Sequence, residues 1–427
     1  MPKFLVPVSI VGLLILCWVT GILSALPEDH SAQVAAYREF AEEQIALEAY
    51  GSAIDYYKAI VELEPAVENY SRLAEVYELA GKEEDAYETL DVCVQKYPQE
   101  KEIYQKIIKH YFDAGDYSVC VSYLEDCAAV HGWDEEMTEQ YFQCKFRFIL
   151  EGSGYQDLSD VYNGSHVAVT ETETFFLSTK CKRMKFPDLE DASPDFGDLL
   201  GVTVDGRANF MDDTGLKYLD TTDTYDKTWS FSGGLALVQY GNAYGYVDRQ
   251  FRLVLGELLD GSNFNNGVAA VRMAEGWTLV DSSLNRIGEE YYSDIKLDED
   301  KFCSFAGRIF VKGQDGYRMV DTEGEPVGEN VFEDAKPFNR GGYAAVKQNG
   351  LWGFVDTENR WVIEPKYEDA MSFGEQLGAV LVDGKWGFIS SADRMVIEPQ
   401  FEAVKHLNGS TAPVKQDGLW YMLIIEQ

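Results

Sequence analysis

The sequence predicts an α+β multidomain chain: an apolar N-terminal segment (1–27), an α-helical repeat solenoid (31–150) and an all-β repeat array (155–427). Three observations carry this. Phe4 to Leu26 is an apolar run without a charge. Between 31 and 150 the apolar residues keep helical spacing, and blocks recur every 33 to 34 residues. Beyond Gly152-Ser153-Gly154 the period becomes that of alternating strands. There NGLWGFVDTENRWVIEPKY (349–367) returns 34 residues later as DGKWGFISSADRMVIEPQF (383–401).

At 427 residues and 46% hydrophobic, the chain is long and apolar enough to bury a sizeable core. Its 73 acids against 36 Lys and Arg leave a net charge of −37. Nucleic acid is excluded as a partner, because phosphate binding needs clustered cations. The surplus acid serves solubility, and basic proteins or divalent cations are the complementary partners. Seven cysteines are scattered without a C-x-x-C pair, which argues against a zinc or thioredoxin-type site. No cofactor is expected.

As a helix, the 23 residues from Phe4 to Leu26 reach roughly 34 Å, enough for a hydrocarbon core of about 30 Å. Lys3 precedes them, which places the N-terminus in the cytoplasm and the repeat arrays outside. The expectation is a single-pass membrane anchor. The rival is a signal peptide cleaved near Leu23-Ser24-Ala25, which gives a secreted protein.

The helical blocks repeat one plan. Tyr70, Leu73, Ala74 and Tyr77 are followed by Gly81, Ala86, Leu90, Cys93 and Pro98; Tyr104, Ile107, Ile108 and Tyr111 by Gly115, Tyr117, Cys120, Leu124 and Cys127. Small residues let paired helices approach, glycines allow the turn between them, and Pro65 and Pro98 end second helices. With AIDYYKAIVELEP (53–65) the region resembles the tetratricopeptide (TPR) repeat over about three copies. Trp133 to Leu150 reads as a capping helix. The resemblance implies a concave groove for a protein or peptide partner, with Arg38, Glu42, Ser71, Glu75, Glu78, Gln105 and Lys109 as candidate lining. The alternative is that these residues form a solvated helix face. Glu42, Glu75 and Glu102 have the wrong sign for clamping a C-terminal carboxylate. Cys120 and Cys127 read as core.

In the β array about eight units share two strands, as in Ala344-Ala345-Val346 with Trp352-Gly353-Phe354-Val355-Asp356. The marker residues Leu177, Met211, Val247, Val280, Val320, Val355, Ile389 and Leu423 step by 34, 36, 33, 40, 35, 34 and 34. The units resemble the WG-repeat family, named for Trp-Gly as in Trp352-Gly353 and Trp386-Gly387. Units this small must stack. They form a propeller-like array, with an open β-solenoid as the alternative; a closing sheet shared between the two ends fits the phase of the chain.

Asp212, Asp248, Asp281, Asp321 and Asp356 recur where a strand opens a turn, and read as turn caps. Tyr244, Trp277, Tyr317, Trp352, Trp386 and Trp420 recur in register. They read as packing between units, or as a rim stacking sugar or peptide rings, with Trp277, Trp352, Trp386 and Trp420 as candidate binding residues. No catalytic or metal spacing is present, and no metal or catalytic residue is assigned. The functional expectation is a membrane-anchored, extracytoplasmic, non-catalytic scaffold for protein or peptide, with glycan as a further ligand. Alternatives are an envelope enzyme acting on glycan through carboxylates such as Glu364, Glu398 or Asp383, and a structural spacer.

Overall fold

The computed structural model describes residues 30–212, 214, 218–219 and 225–426. They form two compact units that divide between Cys144 and Lys145. The expected anchor lies outside the described residues; among these, no helix is long and apolar enough to cross a membrane.

The first unit holds seven helices among the described residues: α1 (Ser31–Ala46), α2 (Tyr50–Leu63), α3 (Val67–Leu79), α4 (Glu83–Lys96), α5 (Lys101–Ala114), α6 (Tyr117–His131) and α7 (Glu135–Lys145). The sequence sets their ends. Glu64 and Tyr97, each before a proline, leave the helical region (φ −135° and −127°) and end α2 and α4. Gly115 ends α5 with a left-handed φ of 78°. Glu83, Glu84 and Asp85 open α4 and Lys96 closes it, both favourable to the helix dipole. Ala53, Ala74 and Ala86 are buried with Tyr57, Tyr77 and Leu90, and Cys93, Cys120 and Cys127 lie in the same core.

The expected capping helix to Leu150 is corrected. α7 ends at Lys145, and Phe148–Tyr155 is a strand of the second unit. Phe148, Ile149 and Leu150 pair with Ile425, Ile424 and Leu423, so backbone bonding to the last strand takes this apolar stretch away from the helix.

The second unit is a β-propeller. Among the described residues it has eight antiparallel sheets, seven of three or four strands and one of two. Each full unit is a four-stranded meander, not the two strands read from the sequence. In one example the order is Asp369–Met371, Leu377–Val382, Lys385–Ser390 and Met395–Phe401. Asp383-Gly384, Asn349-Gly350 and Asp417-Gly418 all take positive φ, which two-residue hairpin turns require. Phe148–Tyr155 supplies the outermost strand of the sheet that contains Leu419–Ile425, so the two ends of the unit share one sheet. Lys405 and His406 of the last unit bond to Asp157 and Asp160 of the first, which closes the ring and sets the open solenoid aside. Phe354, Phe373 and Phe388 are fully buried between sheets, each stabilising by about 2–3 kcal/mol.

Candidate functional site

Two concave places deserve comparison, one in each unit. In the helical unit, α3, α4 and α5 enclose a hollow of about 310 Å³. Four of the seven expected groove residues meet there: Ser71, Glu75, Glu78 and Lys109. Gln105 joins Lys109 in a neighbouring hollow of about 400 Å³ between α5 and α7. Arg38 and Glu42 line neither. Arg38 donates to Asn69 Oδ1 at 2.9 Å, and Glu42 accepts from Tyr57 Oη at 2.5 Å and from Arg72 at 2.8 Å. Arg72, which was not singled out, also reaches Glu75 at 2.8 Å. Its guanidinium leads in holding the Glu42 carboxyl below its usual range.

The far wall of the hollow adds Tyr87, Lys106, His110 and Asp113. Tyr87 and His110 stack with ring centroids 3.5 Å apart. Burial, and then the charge of Glu78, raises the Tyr87 phenol. Lys109 pairs with Asp113 at 2.7 Å in an exposed i,i+4 contact of little stabilising value. The hollow thus offers a ring stack flanked by carboxylates and ammonium groups.

In the propeller, a cavity of about 450 Å³ opens in the centre of the ring. Its wall is built by the short innermost strands, which carry an ion-pair ladder between units. Lys296 binds Asp334 at 2.7 Å, Lys336 binds Asp369 at 2.7 Å, and Lys405 binds Asp157 at 3.1 Å. Each ammonium also lies over an aromatic ring. Lys296 is 4.4 Å from the Tyr317 centroid, Lys405 is 5.2 Å from that of Trp420, and Lys336 lies 4.9 Å and 5.7 Å from Trp352 and Trp386. The chain's own cations therefore stand over the rings of three of the expected aromatic candidates. The fourth, Trp277, is 5% exposed and packs in the core with Leu279 and Ile295.

Sequence reading missed the lysines of this ladder. Their signal was Glu333-Asp334-Ala335-Lys336, echoed as Glu402-Ala403-Val404-Lys405. Glu333, Glu368 and Glu402 each accept a backbone N–H from the hairpin turn of their own unit. The recurring aspartates act as the turn caps expected: Asp356 Oδ1 accepts from the N–H groups of Glu358 and Arg360, both at 2.9 Å.

Near one side of the cavity, Asp160 Oδ2 lies 2.8 Å from His406 Nδ1. Burial opposes ionisation of Asp160, yet His406 and Lys405 hold its carboxyl below the usual range. Burial also opposes the charge on Lys405, yet Glu299, Asp157 and Asp160 raise its ammonium. Among the described residues no group of His, Cys, Asp and Glu has metal-holding geometry.

Comparison with known proteins reaches part of the chain. Residues 317–352, 352–386 and 386–420 match the WG containing repeat. No curated protein matches the sequence. Among solved structures, the TPR domain of Sgt2 from Aspergillus fumigatus is similar at 18% identity, covering 26% of this chain and 76% of its own, with a TM-score of 0.21. A eukaryotic initiation factor is similar at 11% identity, covering 63% and 83%, with a TM-score of 0.41. Hsv2p from Kluyveromyces lactis is similar at 11% identity, covering 66% and 97%, with a TM-score of 0.35.

Proposed function

We propose that the protein is a non-catalytic docking scaffold whose helical unit takes a cationic peptide segment of a protein partner. The hollow between α3, α4 and α5 is the observation that carries this reading. Its Tyr87–His110 stack offers an apolar platform, and Glu78 stands beside it as an acceptor for a basic side chain, with Glu75, bound to Arg72, next to it. Charge points the same way: residues 30–144 hold 25 acids against 8 Lys and Arg. The propeller supplies a second, broader surface. Phe4–Leu26 would carry the scaffold to a membrane, with both arrays on the extracytoplasmic side.

The test is selection of peptides from a random display library against the full chain, repeated with Glu78→Lys. Enriched peptides carrying Lys or Arg beside an apolar residue, and losing tenfold or more in affinity for Glu78→Lys, support the reading. Failure to enrich, or peptides that bind both proteins equally, overturns it.

A further inference from the structure

Successive propeller units are 33 to 36 residues apart except for one step of 40, between Val280 and Val320. The extra residues enter the channel. Lys296 still bonds like an innermost strand, its N–H donating to Phe310 O at 3.0 Å. Residues 297–302 then leave the sheet in a loop wound on Asp298. Asp298 Oδ1 accepts from the N–H groups of Asp300 at 3.0 Å and Phe302 at 2.7 Å, and Lys301 takes a left-handed φ of 61°.

Four other propeller units hold this loop. Asn263 Nδ2 donates to Asp300 O at 2.7 Å, and Lys301 Nζ lies 2.5 Å from Asp260. Lys405 Nζ lies 3.1 Å from Glu299. The Phe302 ring packs 6.0 Å from Tyr162 and 4.7 Å from Phe196. Asp298, Glu299 and Asp300 thereby line the cavity.

The charge of one of these carboxyls, Asp300, acts on another, Asp298. Asp160 and Tyr162 face them from the first unit, and Lys405 and His406 from the last. Glu299 and Lys301 flank them on the loop, Asp260 holds Lys301, and the Cys303 thiol lies behind. The Lys296–Asp334 and Lys336–Asp369 pairs complete the cavity wall. Lys405 is already engaged by Asp157 and Glu299.

We propose that residues 297–302 form a proton-controlled plug: the Asp298 and Asp300 carboxyls seat the loop in the channel when protonated, and loss of a proton drives the loop out and opens the cavity. Burial, and then the charge of Asp300, pushes the Asp298 carboxyl well above the usual range. Burial, and then the charge of Asp160, pushes Asp300 up to about 7, against the opposing pull of Tyr162 and Lys405. The seated loop therefore binds this proton more tightly than the released loop. Its preference for the channel is full below the released value and is lost as the pH rises through about 7.

The experiment is hydrogen exchange of amides 298–302 in the full chain at about pH 5.5 and about pH 8, corrected for the intrinsic pH dependence of exchange. A carboxyl at about 7 when seated and 3.8 when released gives a rise in the open fraction of roughly thirtyfold between those conditions. Asp298→Asn with Asp300→Asn removes the ionisation while leaving an acceptor oxygen at 298, and its exchange should be nearly flat across the interval. Asp300→Asn alone serves if the double variant folds poorly, and should lessen the rise without abolishing it, because burial still raises the Asp298 carboxyl. Wild-type protection that stays constant, or variants that keep the wild-type pH dependence, overturns the proposal. So does an equal rise in Leu351–Asp356, which would mean that the whole propeller loosens.

Discussion

Gly353→Ala tests why the repeating line carries Gly after Trp. Trp352 pairs with Tyr367 and Phe354 with Ile363, so the neighbouring strand gains residues and bulges towards Gly353. A Cβ there would stand 2.5 Å from Ile363 O, 2.7 Å from Pro365 N and 2.9 Å from Glu364 C, where ordinary contact begins at 3.4 Å. All three are backbone atoms, so no rotamer change relieves the overlap, and the bulge must shift by nearly an ångström. Overpacking of this kind costs about 2–3 kcal/mol. In a domain of this size that lowers the thermal midpoint by roughly 3–5 °C. The assay is a thermal scan of the full chain followed by near-ultraviolet circular dichroism, which reports tryptophan packing. Gly384→Ala is the control: its Cβ meets nothing within 4 Å, and only the φ of 71° opposes it, at about 1 kcal/mol. A Gly353→Ala midpoint equal to that of Gly384→Ala or of the parent chain would refute the steric argument.

Other changes follow from the same geometry. Asp356→Ala removes the acceptor for Glu358 and Arg360 N–H and should cost about 1–2 kcal/mol, read from the urea midpoint. Lys405→Met removes a buried ammonium that helps to hold the buried Asp160 carboxyl ionised, while its direct partners Asp157 and Glu299 face solvent; it should cost about 1–2 kcal/mol by the same measurement, more than the loss of an exposed pair such as Arg318–Asp315. Peptide binding to the helical hollow should weaken severalfold between low and physiological salt in a titration series, because its carboxylates are solvent-facing.

The periods made much of this architecture legible. Helical spacing with Gly81, Gly115 and the two prolines marked the helix pairs, and the WG line marked the hairpins. The outer and innermost strands were harder to see. The innermost ones are only two or three residues long, as in Asp334–Ala335, too short for an alternating pattern. Their lysines gain meaning only when the ring brings Lys336 against Asp369 and Trp386, 33 and 50 residues away. In the helical groove, outward spacing identified Ser71, Glu75, Glu78 and Lys109. It could not foresee that Arg72 would turn back to bind Glu42 and Glu75, because a long guanidinium side chain reaches across helix faces. Phe148-Ile149-Leu150 read as helix because three apolar residues fit either period, and pairing with Leu419–Ile425 decided the matter.

The channel loop shows how a break in a period carries information. A turn wound on Asp298 needs one acceptor oxygen, which Asn would supply as well. At position 300 the backbone makes the contacts, since Asn263 donates to its carbonyl and the turn receives its N–H. The Asp300 side chain also bonds to the Tyr162 hydroxyl, a contact an Asn oxygen would keep, whereas its charge stands against Asp160. A charge that opposes its neighbour, on a group whose hydrogen bonds a neutral amide can keep, should stabilise the fold when neutralised. Asp300→Asn is accordingly expected to raise the thermal midpoint of the full chain at about pH 8, to raise it less at about pH 5, where only the unfolded chain has lost the proton, and to leave it nearly unchanged below the free-carboxyl value of 3.8. A midpoint lowered at pH 8 would show instead that the ionised carboxylate helps to hold the loop through Lys405 or Tyr162.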